Sequence, residues 1–294
     1  MSKEKNLSNQ VAIVTGAGKG LGKTYALHLA TQGVKVLVNN RRHTGESDVE
    51  TSAMKTVEEI RSNGGIAVAN WDDVCDPLSG CRMVEQAQAD LGDIDIVIAN
   101  AGIDHPQSFS KMSIEAFQQI FTTSFYGNLH LIHACWPNLM KRQYGRVLLT
   151  SSGAGLYGNH GQAAYSAAKA AVIGLAKSLA IEGRNHGIAV NIIAPYAHSQ
   201  MTAPYMEESI STLFRSEKVA PVLEWLVSSD CTISGQILVT GGGGLRLART
   251  GETRAANFGE SVAGTIQQLQ QESPRSFSSA NDSFAALIEE IQGD

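Results

Sequence analysis

VAIVTGAGKGLG, residues 11–22, joins a short apolar run to a loop with glycines at positions 16, 18, 20 and 22. The run predicts a buried strand, and a helical pattern follows the loop as far as Ala30. Strand, glycine-rich loop and helix in this order suit the binding of a phosphate group. Glycines let the backbone approach the anion, and the free N–H groups at the helix start point toward it. A merely flexible turn is the alternative, which the flanking strand and helix disfavour.

The spacing of these glycines departs from the common dinucleotide fingerprint. G-x-G-x-x-G requires glycine at position 21 or 23, where the chain has Leu21 and Lys23. The pattern that fits is T-G-x-x-x-G-x-G, and its fixed members are Thr15, Gly16, Gly20 and Gly22.

Apolar runs and helical patterns alternate along the first 244 residues. Because the runs are nearly all apolar, they predict a parallel sheet covered by helices on both faces, an α/β fold. We expect strands at residues 10–15, 34–39, 66–70, 94–99, 145–150, 187–194 and 236–240. We expect helices at residues 47–62, 79–91, 113–142 and 163–182, the third of them interrupted near 124–127.

The motifs of the chain stand where predicted strands end. Ligands of parallel α/β sheets bind beyond the carboxyl ends of the strands. The residues at those ends are Gly16, Asn40, Asp73, Asn100, Ser152 and Pro195. Their convergence predicts one binding site along one edge of the sheet.

Residues 151–169, SSGAGLYGNHGQAAYSAAK, are the predicted reactive centre. Tyr165 and Lys169 are four positions apart, so they share one face of the helix predicted at 163–182. Ser152 precedes the tyrosine by thirteen residues and stands where a strand ends. We expect a phenol acid whose pKa is lowered by the Lys169 ammonium, and a serine that holds the substrate oxygen. This combination predicts a hydride-transfer enzyme.

Two rival interpretations of the polar residues find less support. S-x-x-K at 166–169 is typical of β-lactamases, but its S-D-N and K-T-G companions are represented only by SDC at 229–231 and RTG at 249–251. His130 and His133 lie on a helical segment without a third ligand, and the chain has no H-E-x-x-H. We therefore expect no metal site.

The end of the second strand bears on the choice of cofactor. An acid at this place accepts from the ribose 2′-hydroxyl and repels a 2′-phosphate, whereas arginine attracts the phosphate. The chain has Asn40 followed by Arg41 and Arg42, and Lys19 lies in the glycine loop. These residues favour NADP(H) over NAD(H), with a solvated basic loop as the alternative.

Composition bounds the location and the partners. The chain has 294 residues and a formal net charge of −5, which argues against nucleic acid or an anionic membrane surface. No apolar run approaches the ~20 residues of a membrane helix. The first residues resemble no signal peptide, the last match no address signal, and the four cysteines form no CxxC pair. We expect a cytoplasmic protein with reduced thiols.

Two segments lie outside the alternating pattern. Residues 196–218 suit a lid over a substrate, in which Met201, Tyr205 and Met206 either line an apolar pocket or simply pack. Residues 245–294 are rich in Ser, Gln, Glu and Arg around an apolar patch at 284–291. We expect a catalytic domain at 1–244 and a C-terminal extension at 245–294, lying over the domain or a partner subunit or partly disordered.

TGAGKGLG at 15–22, NAG at 100–102, Ser152 and YSAAK at 165–169 together resemble the short-chain dehydrogenase/reductase family. The resemblance implies a single Rossmann-like domain with a doubly wound, seven-stranded parallel sheet. It implies that the glycine loop binds the pyrophosphate, that Asp73 and Val74 bind the adenine, and that Pro195 and Thr202 line the nicotinamide amide. The full set of expected cofactor-binding residues is Gly16, Lys19, Gly20, Leu21, Gly22, Asn40, Arg41, Asp73, Val74, Asn100, Ala101, Gly102, Tyr165, Lys169, Pro195 and Thr202.

Within that family, the chain is similar to the (3R)-hydroxyacyl-CoA dehydrogenase domain of peroxisomal multifunctional β-oxidation enzymes. The similarity rests on GRVLLTSSGAGLYGNHGQAAYSAAK at 145–169, LAIEGR at 179–184 and NIIAP at 191–195. Two positions depart from the pattern: Asn40 replaces the acid that reads the ribose, and Ser124 aligns with the usual helix-kinking asparagine. The expected catalytic residues are Ser124, Ser152, Tyr165 and Lys169.

Three functional hypotheses follow from the sequence. The first is a nicotinamide-dependent oxidoreductase that interconverts a secondary alcohol and a ketone, with a 3-hydroxyacyl thioester as one substrate class. The second is the same chemistry on cyclic or steroid-like ketones. The third, motivated by Ser124, is a non-catalytic cofactor-binding sensor or scaffold. Family resemblance also implies a homodimer or homotetramer through the helices at 113–142 and 163–182.

Overall fold

Seven parallel strands, with an eighth at one edge, form the central sheet of the protein, which is known from a computed structural model. The structure describes residues 7–203, 207–256 and 261–293. The strand order is β3-β2-β1-β4-β5-β6-β7-β8. The strands are β1 (Val11–Val14), β2 (Lys35–Asn39), β3 (Ala67–Asn70), β4 (Ile96–Ala99), β5 (Gly145–Thr150), β6 (Ile188–Pro195), β7 (Ile237–Gly241) and β8 (Gly244–Ala248).

The apolar runs predicted from the sequence become the buried centre of this sheet. Every residue of β1, β4 and β5 is buried, as expected of strands covered on both faces. In the middle of the sheet Val14 pairs with Val38 of β2 on one side and with Ile98 of β4 on the other. The strand order reverses between β1 and β4. A crevice therefore opens there at the carboxyl ends of the strands.

Helices connect the strands and cover the sheet. They are α1 (Gly20–Thr31), α2 (Ser52–Ser62), α3 (Ser79–Asp90), α4 (Ile114–Phe121), α5 (Gly127–Arg142), α6 (Gly153–Tyr157), α7 (Ala163–Gly183), α8 (Glu208–Leu213), α9 (Ala220–Val227), α10 (Val262–Leu269) and α11 (Ala280–Gly293). The seven strands and the four long helices predicted from the sequence are all present, with ends shifted by one or a few residues.

The eighth strand is a correction to the predicted seven-stranded sheet. Gly242 and Gly243 both have positive φ angles, 60° and 89°, which suit a two-residue hairpin turn. A parallel neighbour would need a crossover of a dozen or more residues, so β8 runs antiparallel to β7. β8 is largely exposed and lacks the apolar run by which the other strands were predicted.

The helical region predicted at 113–142 is interrupted as expected. Five residues of π-helix, Thr122–Tyr126, separate α4 from α5. The turn packs closely on its surroundings, because a Cβ atom at Gly127 would lie 2.7 Å from Cγ2 of Val74. An inserted π turn shifts the side chains on the two halves of a helix relative to each other.

The helix that carries Tyr165 and Lys169 is also the most apolar long helix. By length and composition alone, the segment Ala163–His186 could cross a membrane. The core helix of a globular domain passes the same test, and α7 buries Ala168, Val172 and Ala176 at helical spacing. We therefore interpret α7 as a core helix packed on the sheet.

The chain divides into two compact units, residues 1–247 and 248–294. The second unit contains α10 and α11. Within it, Arg275 forms an ion pair with Glu290, and the other oxygen of Glu290 accepts a 2.7 Å hydrogen bond from the backbone of Ala255. The domain boundary predicted at 244/245 stays a prediction.

Candidate active site

Gly16 and Gly22 show why the loop between β1 and α1 requires glycine. Gly16 has a φ of +64°, in the left-handed region that favours glycine. A Cβ atom at Gly22 would lie 2.2 Å from the carbonyl oxygen of Gly16 and 2.7 Å from Nδ2 of Asn100. Within the described part of the chain, Lys19 makes no side-chain capping bond at the start of α1. The N–H groups there are oriented to receive an anion, so the loop fits a pyrophosphate.

Asn100 ties three neighbouring strands together at their carboxyl ends. Its Nδ2 donates to the carbonyl of Thr15 at 3.0 Å, and its own backbone N–H donates to the Thr15 hydroxyl at 3.1 Å. Its Oδ1 accepts from the Thr150 hydroxyl at 3.3 Å. Because Thr15 follows β1 and Thr150 ends β5, this side chain holds the mouth of the crevice in shape.

The crevice contains a cleft of about 350 Å³, and a pocket of about 110 Å³ shares part of its wall. The cleft is lined by most of the residues predicted from the sequence: Gly16, Lys19, Gly20, Leu21, Gly22, Asn40, Asn100, Ala101, Gly102, Ser152, Tyr165, Lys169, Pro195 and Thr202. Arg41, Asp73 and Val74 line the smaller pocket, together with Gly16 and Asn40. The fold thus brings together segments that are far apart in sequence, although the role of each residue stays a prediction.

Tyr165, Lys169 and Ser152 meet at one end of the cleft. Lys169 is almost fully buried, and its Nζ lies 5.7 Å from the centre of the Tyr165 ring. The same Nζ donates a 2.8 Å hydrogen bond to the carbonyl of Thr150. Ser152 begins α6, its Oγ accepts from the backbone of Ala154 at 3.2 Å, and its side chain hydrogen-bonds with Tyr165.

The expected lowering of the Tyr165 pKa is not seen, and this corrects the sequence argument. Burial, followed by the negative charge of Asp104, raises the pKa of Tyr165 to about 12, while the Ser152 hydrogen bond acts in the opposite direction. Burial lowers the pKa of Lys169 to about 8. Desolvation therefore decides both pKa values, and the attraction between phenolate and ammonium that the i, i+4 spacing suggested is not among their causes.

Ser124 lies outside the cleft, in contrast to the other three expected catalytic residues. It is fully buried in the π turn, and its hydroxyl both accepts from the N–H of Ile103 and donates to the carbonyl of Ile103, each at 3.1 Å. Its carbonyl accepts a 2.7 Å bond from Asn128. A Cβ atom at Gly102 would lie 3.3 Å from both the Ser124 Oγ and the Lys169 Nζ. Ser124 therefore supports the backbone behind Lys169, and its catalytic role stays a prediction.

The two arginines expected near the adenosine ribose have different surroundings. Arg41 faces Asp73 with an Nη1–Oδ2 distance of 3.6 Å, and both side chains are largely exposed. Arg42 pairs with Asp48 at 2.5 Å, and its guanidinium lies 4.7 Å from the centre of the Trp71 ring. Arg41 is thus the more loosely held of the two, and it lines the smaller pocket.

Sequence reasoning missed two polar residues that line the cleft, Asp104 and Gln162. Asp104 lies in the loop after β4, four positions beyond Asn100, and Gln162 directly precedes α7. Asp104 belongs to no motif, and Gln162 lies within the stretch 151–169 but was assigned no role there, so only the neighbouring motifs at 100–102 and 165–169 pointed to these two side chains.

The predicted lid is partly described. Met201 lines the cleft, as do Ser199 and Gln200. Tyr205 and Met206 lie outside the described residues. Thr202 is fixed from within the segment, because its hydroxyl donates to the carbonyl of Ala197 at 2.7 Å and accepts from the N–H of Ser199 at 2.8 Å.

Comparison with known proteins identifies the family. The sequence model of the short chain dehydrogenases matches residues 10–209, which is more than half of the chain. The chain belongs to the short-chain dehydrogenase/reductase family. This membership confirms the predicted Rossmann-like α/β fold and the predicted class of enzyme, an oxidoreductase that uses a nicotinamide cofactor.

Three relatives show the range of this family. The peroxisomal multifunctional enzyme type 2 of Mus musculus is 40% identical over 258 residues, which cover 87% of this chain but 35% of that protein. The 3-oxoacyl-[acyl-carrier-protein] reductase of Escherichia coli is 31% identical over 249 residues, which cover 81% and 98% of the two chains. A 7α-hydroxysteroid dehydrogenase, solved with NADH and 7-oxo glycochenodeoxycholic acid, superimposes with a TM-score of 0.74 at 28% identity, covering 83% and 98%. The chain thus spans about a third of the mouse protein.

Proposed function

We propose that this short-chain dehydrogenase/reductase interconverts a secondary alcohol and a ketone on an acyl thioester, at the 3-hydroxy or 3-oxo position. The observation that carries the proposal is the meeting of Ser152, Tyr165 and Lys169 at one end of a cleft that begins at the glycine loop. The loop fits a dinucleotide, since its glycines line the cleft and the backbone at Gly22 packs too closely on Gly16 to admit a side chain. When bound, the nicotinamide supplies or accepts the hydride.

The residues of the chain supply the proton and hold the substrate oxygen. The Tyr165 phenol stays protonated near neutral pH, because burial raises its pKa, and it can donate to a carbonyl oxygen that gains negative charge. The Ser152 hydroxyl lies close enough to Tyr165 to bind the same oxygen. The Lys169 ammonium, fixed by the carbonyl of Thr150, stabilises the phenolate left after proton transfer.

The thioester substrate is supported by the relatives. The Escherichia coli protein is named for the reduction of 3-oxoacyl groups on acyl carrier protein, and it matches the chain over nearly its whole length. The steroid-like ketone is the second candidate, favoured by the dehydrogenase solved with a 7-oxo bile acid. The intact Ser152, Tyr165 and Lys169 argue against a non-catalytic sensor.

The cofactor preference, the assembly and the location are also proposals. Arg41 at the rim of the smaller pocket and Lys19 in the cleft favour NADP(H) over NAD(H). Tyr126 and Ile181, exposed near α5 and on α7, support a homodimer or homotetramer through these helices. A cytoplasmic location rests on the sequence alone.

The test of the proposed function is a substrate panel. Acetoacetyl-N-acetylcysteamine, a cyclic ketone and a 7-oxo steroid are each offered with NADPH and with NADH, and the loss of the reduced nicotinamide is followed by absorbance. We expect the thioester to give the highest kcat/KM. A preference for the steroid would replace the thioester proposal, and cofactor binding without turnover of any ketone would favour the sensor.

A further inference from the structure

Asp104 is an acidic side chain in the cleft that the proposed mechanism leaves without a role. It stands on the loop after β4 and lines the same cleft as Ser152 and Tyr165. Its charge contributes to the raised pKa of Tyr165, which places the two groups near each other. A carboxylate beside the reacting centre repels an anionic group of a ligand and binds a hydrogen-bond donor.

One oxygen of this carboxylate is held in place by a chain of amides. Nε2 of Gln162 donates to Oδ2 of Asp104, and Nδ2 of Asn159 donates to Oε1 of Gln162 at 2.6 Å. The backbone N–H of Gln107 donates to the carbonyl of Gly161 at 2.7 Å. These bonds tie the loop after β4 to the start of α7, so the carboxylate cannot turn freely.

The other oxygen, Oδ1, is buried and has no hydrogen-bond partner within residues 7–203, 207–256 and 261–293. Nζ of Lys169, which lines the same cleft, donates to the carbonyl of Thr150. Burial raises the pKa of Asp104, and this effect outweighs the lowering by the Gln162 hydrogen bond, by the charge of His105 and by a hydrogen bond from the His105 backbone. A buried acceptor without a donor destabilises the free protein, and more so when it is charged. A ligand that brings a donor to Oδ1 recovers this cost.

We propose that Asp104 determines specificity by accepting, through Oδ1, a hydrogen bond from a hydroxyl or N–H group next to the reacting carbonyl of the substrate. The inference rests on the proposed function, because it assumes that a carbonyl is reduced beside Tyr165. Within the proposed substrate class, it favours ketones that carry a donor on a neighbouring carbon over ketones that lack one. A hydrogen bond to a charged acceptor favours such a substrate by about 10- to 100-fold.

The experiment compares a substrate that has a hydroxyl next to the ketone with one in which a methyl group replaces the hydroxyl hydrogen. They are the N-acetylcysteamine thioesters of 4-hydroxy-3-oxobutanoic acid and 4-methoxy-3-oxobutanoic acid. For the wild type we expect kcat/KM to be higher for the hydroxy compound by about tenfold or more. Asp104→Leu should bring the ratio to about one, and the isosteric Asp104→Asn should lower it by at least about threefold.

The control removes an exposed carboxylate from the far end of α7, the helix that begins directly after Gln162. Glu182→Gln should keep the wild-type ratio, since Glu182 lies at the exposed end of α7. A ratio that is the same in the wild type and in Asp104→Asn would overturn the inference, even if Asp104→Leu fails to fold. A wild-type ratio of about one between the kcat/KM values of the two compounds would also overturn the inference.

A binding measurement separates this inference from the proposed function. Calorimetry on the Tyr165→Phe protein with NADPH compares the dissociation constants of the two thioesters without turnover. Tighter binding of the hydroxy compound, lost in Asp104→Asn, would support the role of Asp104 even if the wild type reduces neither ketone. Equal binding of the two compounds would overturn it, even if both ketones are reduced.

Discussion

Burial acts in opposite directions on the two titrating residues of the centre. It raises the pKa of Tyr165 to about 12 and lowers the pKa of Lys169 to about 8. Sequence spacing placed the two side chains on one helix face but could not reveal how far both are removed from water. Their neighbour Asp104 was missed because no motif includes it and only the folded loop after β4 brings it to the cleft.

The shift of Lys169 predicts a dependence of stability on pH. Its folded-state pKa of about 8 lies below the ordinary 10.5, so between these values the unfolded chain binds more protons than the folded one. The free energy of unfolding should therefore rise with pH across this window, and Lys169→Met should abolish that rise. We expect the difference between the two proteins to grow by about 3 kcal/mol.

Urea unfolding across this pH window measures the difference in the free energy of unfolding between the wild type and Lys169→Met. Tyr165 is present in both proteins, so its titration cancels in this difference. Lys141→Met, at an exposed lysine near the end of α5, controls for the loss of one positive charge. Parallel curves for the wild type and Lys169→Met would show that Lys169 is solvated.

Arg41 carries the prediction of cofactor preference. Its ion pair with Asp73 is exposed, and such pairs contribute about 0–1 kcal/mol, so a 2′-phosphate can compete for the guanidinium. Arg41→Asp should lower the ratio of kcat/KM for NADPH to that for NADH by about tenfold or more, since it replaces attraction by repulsion. Arg42→Asp, at the arginine stacked on Trp71, should change the ratio less. An unchanged ratio in Arg41→Asp would remove the argument for NADP(H).

At the scale of elements, the glycine loop is the part that the sequence predicted best. The spacing of Gly16, Gly20 and Gly22 predicted a phosphate cradle, and the structure shows why a side chain is excluded at Gly22. The strands were found because they are buried runs of apolar residues. β8 was missed because an exposed edge strand has no run of buried apolar residues. The two glycines before it predict a turn but not the strand that follows.

The close contact at Gly22 predicts the effect of one methyl group. Gly22→Ala places a Cβ atom 2.2 Å from the carbonyl oxygen of Gly16, which the backbone of the loop must relieve by moving. We expect the dissociation constant for the nicotinamide cofactor, measured by fluorescence, to rise at least about tenfold.

The matched control is Gly174→Ala in α7. No atom lies within 4 Å of a Cβ atom built at Gly174 in the described chain, and glycine in a helix interior costs roughly 0.5–1 kcal/mol relative to alanine. This variant should raise the melting temperature and leave cofactor binding unchanged. Equal binding by the Gly22→Ala and wild-type proteins would mean that the cradle is not the cofactor site.

At the scale of the whole molecule, the residues that line the cleft and the smaller pocket all belong to the first unit, residues 1–247. A chain that ends after Ala248 keeps every strand of the sheet. We expect it to fold and to bind the cofactor as the full chain does, as judged by circular dichroism and calorimetry. Loss of the folded state on truncation would show that residues 249–294 are required for the stability of the first unit.

Turnover by the Tyr165→Phe protein decides whether Tyr165 is the proton donor. This variant removes one hydroxyl from a half-buried ring and keeps the cleft. We predict that kcat for reduction of acetoacetyl-N-acetylcysteamine falls by about 10²–10⁴-fold, the usual contribution of a general acid. The dissociation constant for NADPH should stay within about twofold of the wild type. Turnover at the wild-type rate would contradict the account, because the proton would then come from another group.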